Sequence, residues 1–465
     1  MEVAEATQHQ TNLRAISICL FGGVLLIFLA FFSGDGGYMD VREYLDDAQR
    51  LWLKWDLRLS KVPPVYSRYA LGLPFVSGPF VWAGQLLSLA TGGAVHARGV
   101  TALVVPVLGA GAAAAFFFWS ISQGSSARVA CWAAMLLAFS TPLFTYTQHF
   151  HTEVLVLCCV LMAVWSFAQA RRTGKGAWLL AAGLALGLMP MSHYSSAPTA
   201  GAFGVSMIAI VLMERGTWSE RWKHVGLLAV GPMIAAMALL GTNYVRYGMF
   251  FTTGYHIYFA PTAGQFMRVE YIPQNLKVLA GWLLRTPWLA PAMAMTGSMY
   301  WRDRTAWLPI ALAVAVQTFF WLCYRDLYLM TNRYLLPMTG LWALGLPLLG
   351  QRLERRFSTR GLVYSLVPFL MIGFAGFMRD DGIRAFYTDP VSGGMRCFAW
   401  YMQPQTHPTQ FGTPCGPVQW LVLFALLAGG VTLIVRAWRI AGRIDGFKFQ
   451  VSSFKLTTDD RKLET

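Results

Sequence analysis

Three groups of residues in this chain have types and spacings suited to chemistry. Asp35 stands in Ser33-Gly34-Asp35-Gly36-Gly37-Tyr38, directly after an apolar run, so a carboxylate is held at the edge of that run on a flexible glycine turn. Asp40 follows two residues past Tyr38. Glu153 closes Tyr146-Thr147-Gln148-His149-Phe150-His151-Thr152-Glu153 and borders the next apolar stretch with no polar loop around it. The third group is arginine: Arg285 interrupts an apolar run at 278–298, and Arg68, Arg246, Arg325 and Arg333 flank others. A carboxylate so placed can accept a proton, hold a cation or cap a helix. A guanidinium can grip an anion with two donors, or snorkel to lipid head groups. His149 and His151 with Glu153 offer a metal or acceptor site, but the two histidines are two apart rather than four and would not share a helix face. That spacing argues against a structural zinc site.

The elements that must hold these groups are set by composition. The 465 residues are 56% hydrophobic and 13% charged, against about a quarter charged in a soluble domain. Soluble globular domains and disorder are both excluded. The apolar segments are continuous rather than alternating, which predicts helices and not a barrel. Runs of about 20 apolar residues lie near 14–32, 71–91, 98–119, 127–147, 153–170, 176–193, 197–213, 224–243, 278–298, 305–323, 334–349, 361–377 and 417–436. The first run lacks an A-x-A-like exit and reads as a retained span rather than a cleaved signal peptide. A net charge of +15 suggests nucleic acid at first sight, but the basic residues sit in short clusters between apolar runs. That is a topology signal, and no nucleic-acid partner is expected.

The clusters are Arg171-Arg172-Lys175, Arg215-Arg221-Lys223, Arg302-Arg304, Arg352-Arg355-Arg356-Arg360 and the tail from Arg436 to Lys462. They share one side with both termini only if the run at 71–91 does not cross, and that side is then cytoplasmic. Leu71-Gly72-Leu73-Pro74, Gly78-Pro79 and Gln85 interrupt that run. The expected fold is an all-α polytopic membrane protein with about twelve transmembrane helices. A re-entrant or interfacial helix pair at 71–91 and an amphipathic helix from about Met39 to Trp55 belong to a first external loop at 33–97.

This topology sends Asp35, Asp40, Glu43, Asp46, Asp47, Asp56, Glu153, Glu270, Asp326, Asp380, Asp381 and Asp389 outside and leaves no acid at mid-membrane, which argues against a proton relay or an ion-coupled carrier. A charge at mid-span costs about 2.5–3.5 kcal/mol on insertion scales. The span is therefore expected to begin near Pro287, with 275–284 in the interface and Arg285 facing an external cavity. An external segment at 378–416 carries Cys397 and Cys415, where a disulfide is chemically permitted; its formation is left open. The seven cysteines form no disulfide scaffold. The tail after Arg443 is polar and expected to be cytoplasmic and disordered.

The first-loop motif, the aromatic segment ending in Glu153, Asn243-Tyr244-Val245-Arg246-Tyr247-Gly248 with Thr253-Gly254-Tyr255, and Asn332-Arg333-Tyr334-Leu335-Leu336-Pro337 occur in an order that carries a resemblance. Over roughly residues 14–350 the chain resembles the C-type (GT-C) integral-membrane glycosyltransferases, among them the protein O-mannosyltransferases and the lipid A aminoarabinose transferase. The Gly34-Asp35-Gly36-Gly37-Tyr38 motif is one residue shorter than the family's commoner spacing. The resemblance implies a catalytic module at 14–350, preceded by a cytoplasmic N-terminus at 1–13. C-terminal helices at 351–437 and a cytoplasmic tail at 438–465 follow.

It further implies an inverting transfer of sugar from a polyprenyl-phosphate donor to an acceptor hydroxyl on a glycolipid, polysaccharide or protein. Asp35 would be the base, with Glu153 as a second site carboxylate. Arg285 and Arg333, joined by Arg68 and Arg246, would hold the donor phosphate. Tyr38, Asp40, His149 and His151 would contact the acceptor or support the site, and a divalent metal at Asp35 and Glu153 is a possible cofactor. Membrane lipids are the other partners, and the setting implied is a bacterial inner membrane with the site facing the periplasm or exterior. The alternative is a carrier or flippase for lipid-linked glycans, which needs a lipid path and an arginine-lined cavity but no base.

Overall fold

The structure, a computed structural model, describes residues 2–32, 39–58, 67, 70–148, 150–214, 216–254, 267–324, 335–379 and 417–446. Among the described residues there are helices and no strands, with one isolated antiparallel bridge between Met267 and Tyr324. The chain is an all-α, multi-pass membrane protein. Among the described residues, six helical stretches are long and apolar enough to cross a bilayer: Gln8–Ala30, Ala97–Ser122, Thr152–Thr173, Tyr194–Met213, Trp218–Tyr247 and Leu421–Asp445. Shorter apolar helices at Ala127–Phe139, Gly176–Ser192 and Trp307–Cys323 accompany them.

In chain order, α1 is Glu2–Ala30, α2 Met39–Lys54, α3 Gly72–Val76, α4 Gly78–Ala90, α5 Ala97–Ala102 and α6 Val104–Ser122. Next come α7 Ala127–Phe139, α8 Pro142–Tyr146, α9 Thr152–Thr173, α10 Gly176–Ser192, α11 Ala197–Met213 and α12 Trp218–Tyr247. The rest are α13 Ile272–Arg285, α14 Leu289–Arg302, α15 Arg304–Cys323, α16 Leu336–Ala343, α17 Leu346–Arg379 and α18 Pro417–Gly446. The run at 71–91 forms α3 and α4. The 13 residues of α4 reach only about 20 Å at 1.5 Å per residue, short of the roughly 30 Å apolar layer. The run at 278–298 breaks just after Arg285, at Thr286-Pro287-Trp288, as the cost of a buried arginine demands. Inside α17, Ser358 adopts φ 61° and splits the helix within its basic cluster.

Lipid tails are as apolar as leucine, so small residues that let helices approach closely hold such a bundle together. Gly183 and Gly187, one turn apart on α10, lie against Gly231 of α12, where an added Cβ meets the facing backbone. Gly23 of α1 faces Gly430 and Ile434 of α18 in the same way, so the first and last described helices pack together.

Polar contacts collect at the two ends. At one end, which carries the basic clusters, Arg171 Nε pairs with Glu214 Oε1 at 3.2 Å and Arg221 donates to the Leu212 carbonyl. Nearby elements of the same end meet at the start of α7. There Ala127 and Arg128 donate their backbone N–H groups to Asp445 of α18 at 2.9 and 3.1 Å. Ser126 donates to Glu354 of α17 at 3.0 Å, and Arg128 reaches Thr359 at 3.0 Å. The opposite end carries α2 to α5, the turns after α7, α10 and α12, and the last turn of α15.

Candidate functional site

The site is assembled at the end that carries α2 to α5. The last turn of α1 ends in aromatic residues, and Phe28 and Phe31 meet Phe144 of α8 at ring-centroid distances of 6.1 and 5.2 Å. Gly109 of α6 lies against both Phe28 and Thr147, and a side chain there would collide with them. The exit of α1 is thereby fixed beside the turn that leads into α9. Asp35, Tyr38 and His149 lie outside the described residues. Asp40 lies in the first turn of α2, and only its backbone is described.

Glu153 occupies the first turn of α9 and is buried, with 4% of its surface exposed. A helix N-terminus favours a carboxylate there, because the free N–H groups carry partial positive charge. The Thr152 hydroxyl donates to Glu153 Oε2 at 3.3 Å. His151 takes the N-cap position in an extended conformation, and its ring stands edge-on to Tyr146 at 5.6 Å. Among the described residues no three His, Cys, Asp or Glu side chains converge to hold a metal. The metal reading therefore depends on Asp35 joining Glu153.

The first loop is tied down by several contacts from other elements. On α2, Asp46 pairs with Arg98 of α5, and Asp47 accepts from the Ser67 hydroxyl. Trp52 donates its indole N–H to the carbonyls of Pro74 and Phe75 at 3.0 and 3.1 Å, and its ring covers Gly78. Gly72 sits against Ser192 at the end of α10, and Gly84 against Ala97. Arg246, in the last turn of α12, is buried and donates from Nε to the Leu57 carbonyl at 3.2 Å and from Nη1 to the Ser67 carbonyl at 3.4 Å. Tyr247 adds a hydroxyl donor to the same Ser67 carbonyl at 2.8 Å. Arg246 is thus directed at backbone carbonyls of the first loop. Arg68 lies outside the described residues.

Two further segments reach this end. Asn275 of α13 is fully buried and donates to the carbonyls of Trp321, Leu322 and Tyr324 at 3.2, 2.9 and 2.7 Å. This joins α13 to the last turn of α15, ahead of the segment containing Arg325 and Arg333, which lies outside the described residues. Trp288 donates to Ser140, at the end of α7, at 2.7 Å. The helix end at Arg285 is therefore at the same end of the bundle as α8 and Glu153, although only the backbone of Arg285 is described. Cys397 and Cys415 lie outside the described residues. The contacts of Asp47, Trp52, Ser67, Arg98 and Tyr247 were not expected from the sequence, although Asp47 is one of the first-loop acids, Trp52 lies on the apolar face of the amphipathic stretch, Ser67 precedes Arg68, and Tyr247 neighbours Arg246 in a quoted motif.

With this geometry in place, comparison with known proteins gives three results. Residues 88–240 match the family model described as dolichyl-phosphate-mannose-protein mannosyltransferase. A search of curated protein sequences returns no significant match. Among solved structures, the fold is similar to ArnT from Cupriavidus metallidurans bound to undecaprenyl phosphate, with a TM-score of 0.51 and 15% identity over 94% of this chain and 74% of that one. The apo state of the same protein gives 0.51 and 14% identity over 94% and 78%. The archaeal oligosaccharyltransferase AglB from Archaeoglobus fulgidus, in complex with an inhibitory peptide and a dolichol-phosphate, gives 0.46 and 11% identity over 91% and 64%. The resemblance to GT-C glycosyltransferases is borne out by the family model and by the shared fold with ArnT.

Proposed function

We propose that this chain is an inverting membrane glycosyltransferase, which moves a sugar from a polyprenyl-phosphate donor to an acceptor hydroxyl at the external membrane face. The observation that carries the reading is the convergence at one end of the bundle. The exit of α1, the buried Glu153 and the helix end at Arg285 all lie at that end, in a fold shared with ArnT. The match of 88–240 to a mannosyltransferase family supports the same class. The basic clusters lie at the other end, and the bias of Lys and Arg toward the cytoplasm supports an external site.

The chemistry follows from the donor. The acceptor oxygen attacks the anomeric carbon from the face opposite the phosphate, and the bond from that carbon to the phosphate oxygen breaks. Polyprenyl phosphate leaves as an anion of low basicity, so no strong acid is needed. The hydroxyl proton goes to Asp35, and Arg285, Arg333 and Arg68 hold the departing phosphate. Glu153, at the start of α9, is the second carboxylate on the acceptor side; a divalent metal, if bound, would be held by Asp35 and Glu153 and would help neutralise the phosphate. Tyr38, Asp40, His149 and His151 shape the acceptor side. The setting we favour is a bacterial inner membrane.

The test is to incubate purified protein with a panel of polyprenyl-phosphate sugars and measure free polyprenyl phosphate. Release with one donor and glycosylation of an acceptor is the expected result. Movement of a lipid-linked glycan across vesicles, without release from any donor, would replace this reading with a flippase.

A further inference from the structure

We propose that Arg246 and Tyr247 are positioning residues that hold the first loop in register with the bundle and so aim its carboxylate. This rests on the glycosyl-transfer reading above. One guanidinium reaches the carbonyls of Leu57 and Ser67, ten residues apart, and so draws together the two ends of the intervening stretch. Tyr247 fixes the Ser67 end a second time, and the Ser67 side chain carries the hold on to Asp47 of α2. Asp47 is 1% exposed, so this link is shielded from competing water. Such shielding makes a hydrogen bond count for more than at a wet surface.

The hold has a defined origin and a defined target. It begins on α12, a bundle helix that ends at Gly248 in the left-handed conformation, φ 71°. It ends on α2, whose first residue, Met39, lies four residues past Asp35. Asp46 with Arg98 and Trp52 with Pro74 fix the rest of α2 against α5 and α3. The helix that follows Asp35 is thus referred to the bundle through Arg246 and Tyr247. A displacement of about 1 Å at reacting groups can cost about 100-fold in rate, so a loosened loop would lower turnover while the donor still bound.

Tyr247→Phe, Arg246→Lys and Arg246→Ala separate this role from others. In lipid nanodiscs, amide exchange across residues 43–54 is expected to rise about 3- to 10-fold in Tyr247→Phe, the range for one lost hydrogen bond. In Arg246→Ala it should rise about 10- to 100-fold, as for charge-assisted bonds. Turnover should fall in the same order while donor Kd stays within about twofold of wild type, and Arg246→Lys should recover part of it. A tenfold weaker donor Kd with unchanged exchange in α2 would overturn the proposal and make Arg246 a phosphate ligand. Loosened exchange with normal turnover would overturn it too, leaving a purely structural tie. If wild-type protein releases no polyprenyl phosphate from any donor while α2 exchange responds as expected, the transfer reading falls and the hold on the loop stands.

Discussion

Asp35 bears the heaviest demand of any single residue, because the transfer reading needs one base and assigns that role to this carboxylate. Asp35→Asn keeps the shape and any helix cap but cannot accept a proton. Turnover should fall by at least about 100-fold, with donor binding and thermal stability retained; near-normal turnover in this variant would remove Asp35 from the chemistry. On the phosphate side, Arg285→Ala and Arg333→Ala should each weaken donor binding by about 1.5–3 kcal/mol, the range for a charged hydrogen bond. Donor affinity unchanged in both would exclude them. Asp35 and Arg285 draw notice in the sequence because a charge beside glycines, or inside an apolar run, stands out against its neighbours. The role of Arg246 was not legible. Its partners Leu57 and Ser67 are 189 and 179 residues away and accept through backbone carbonyls, which no side-chain pattern announces.

Among the elements, the ones read most closely from sequence are those with strong local patterns. The amphipathic spacing from Met39 predicted a helix to Trp55, and α2 runs Met39–Lys54. Glycine and proline in 71–91 predicted a broken run, and two short helices occupy it. What stayed hidden depends on distant partners: the capping of α7 by Asp445, some 318 residues away, and the break at Ser358. Two predictions belong to these elements. Gly231→Leu forces a side chain into the backbone of α10 and should destabilise the fold by about 1–3 kcal/mol; detergent thermal melts would read it, and an unchanged Tm would show that the crossing can open without cost.

Glu354, in the basic cluster between two apolar segments, is half-buried, and that burial together with the nearby Asp445 carboxylate raises its pKa, opposed by Ser126 and Arg128. A raised folded-state pKa means the native state binds the proton more tightly than the unfolded state does. Stability therefore declines as pH rises from the ordinary glutamate value through the folded one. Glu354→Gln can still accept from Ser126 and should be more stable than wild type at neutral pH, with the difference shrinking as pH falls toward about 4.5. A Tm difference that grows on acidification would show that the charged form is the stabilising one.

At the level of the whole molecule, one topological choice fixes which way the site faces. The glycine and proline breaks in 71–91 lead us to read α3 and α4 as interfacial, and an even number of spans would then put both termini on the side of the basic clusters. Were they to cross, Arg171, Arg221 and Arg352 would lie on the side opposite the N-terminus; with those clusters cytoplasmic, the N-terminus would be external and the stretch between the first run and 71–91 would lie inside. The turn after α4 offers a direct probe. Gly92 and Gly93 have φ of +59° and +88°, so a substituted side chain there would be strained, whereas Ala94 is exposed and has no such restriction. Ala94→Cys, in a background with the seven native cysteines replaced, should react in intact cells with a membrane-impermeant maleimide applied from outside. Labelling only after the cytoplasmic face is opened would move the first loop inside. Asp35 and Glu153 would then face the cytoplasm, and a donor whose head group reaches the external face could not meet them.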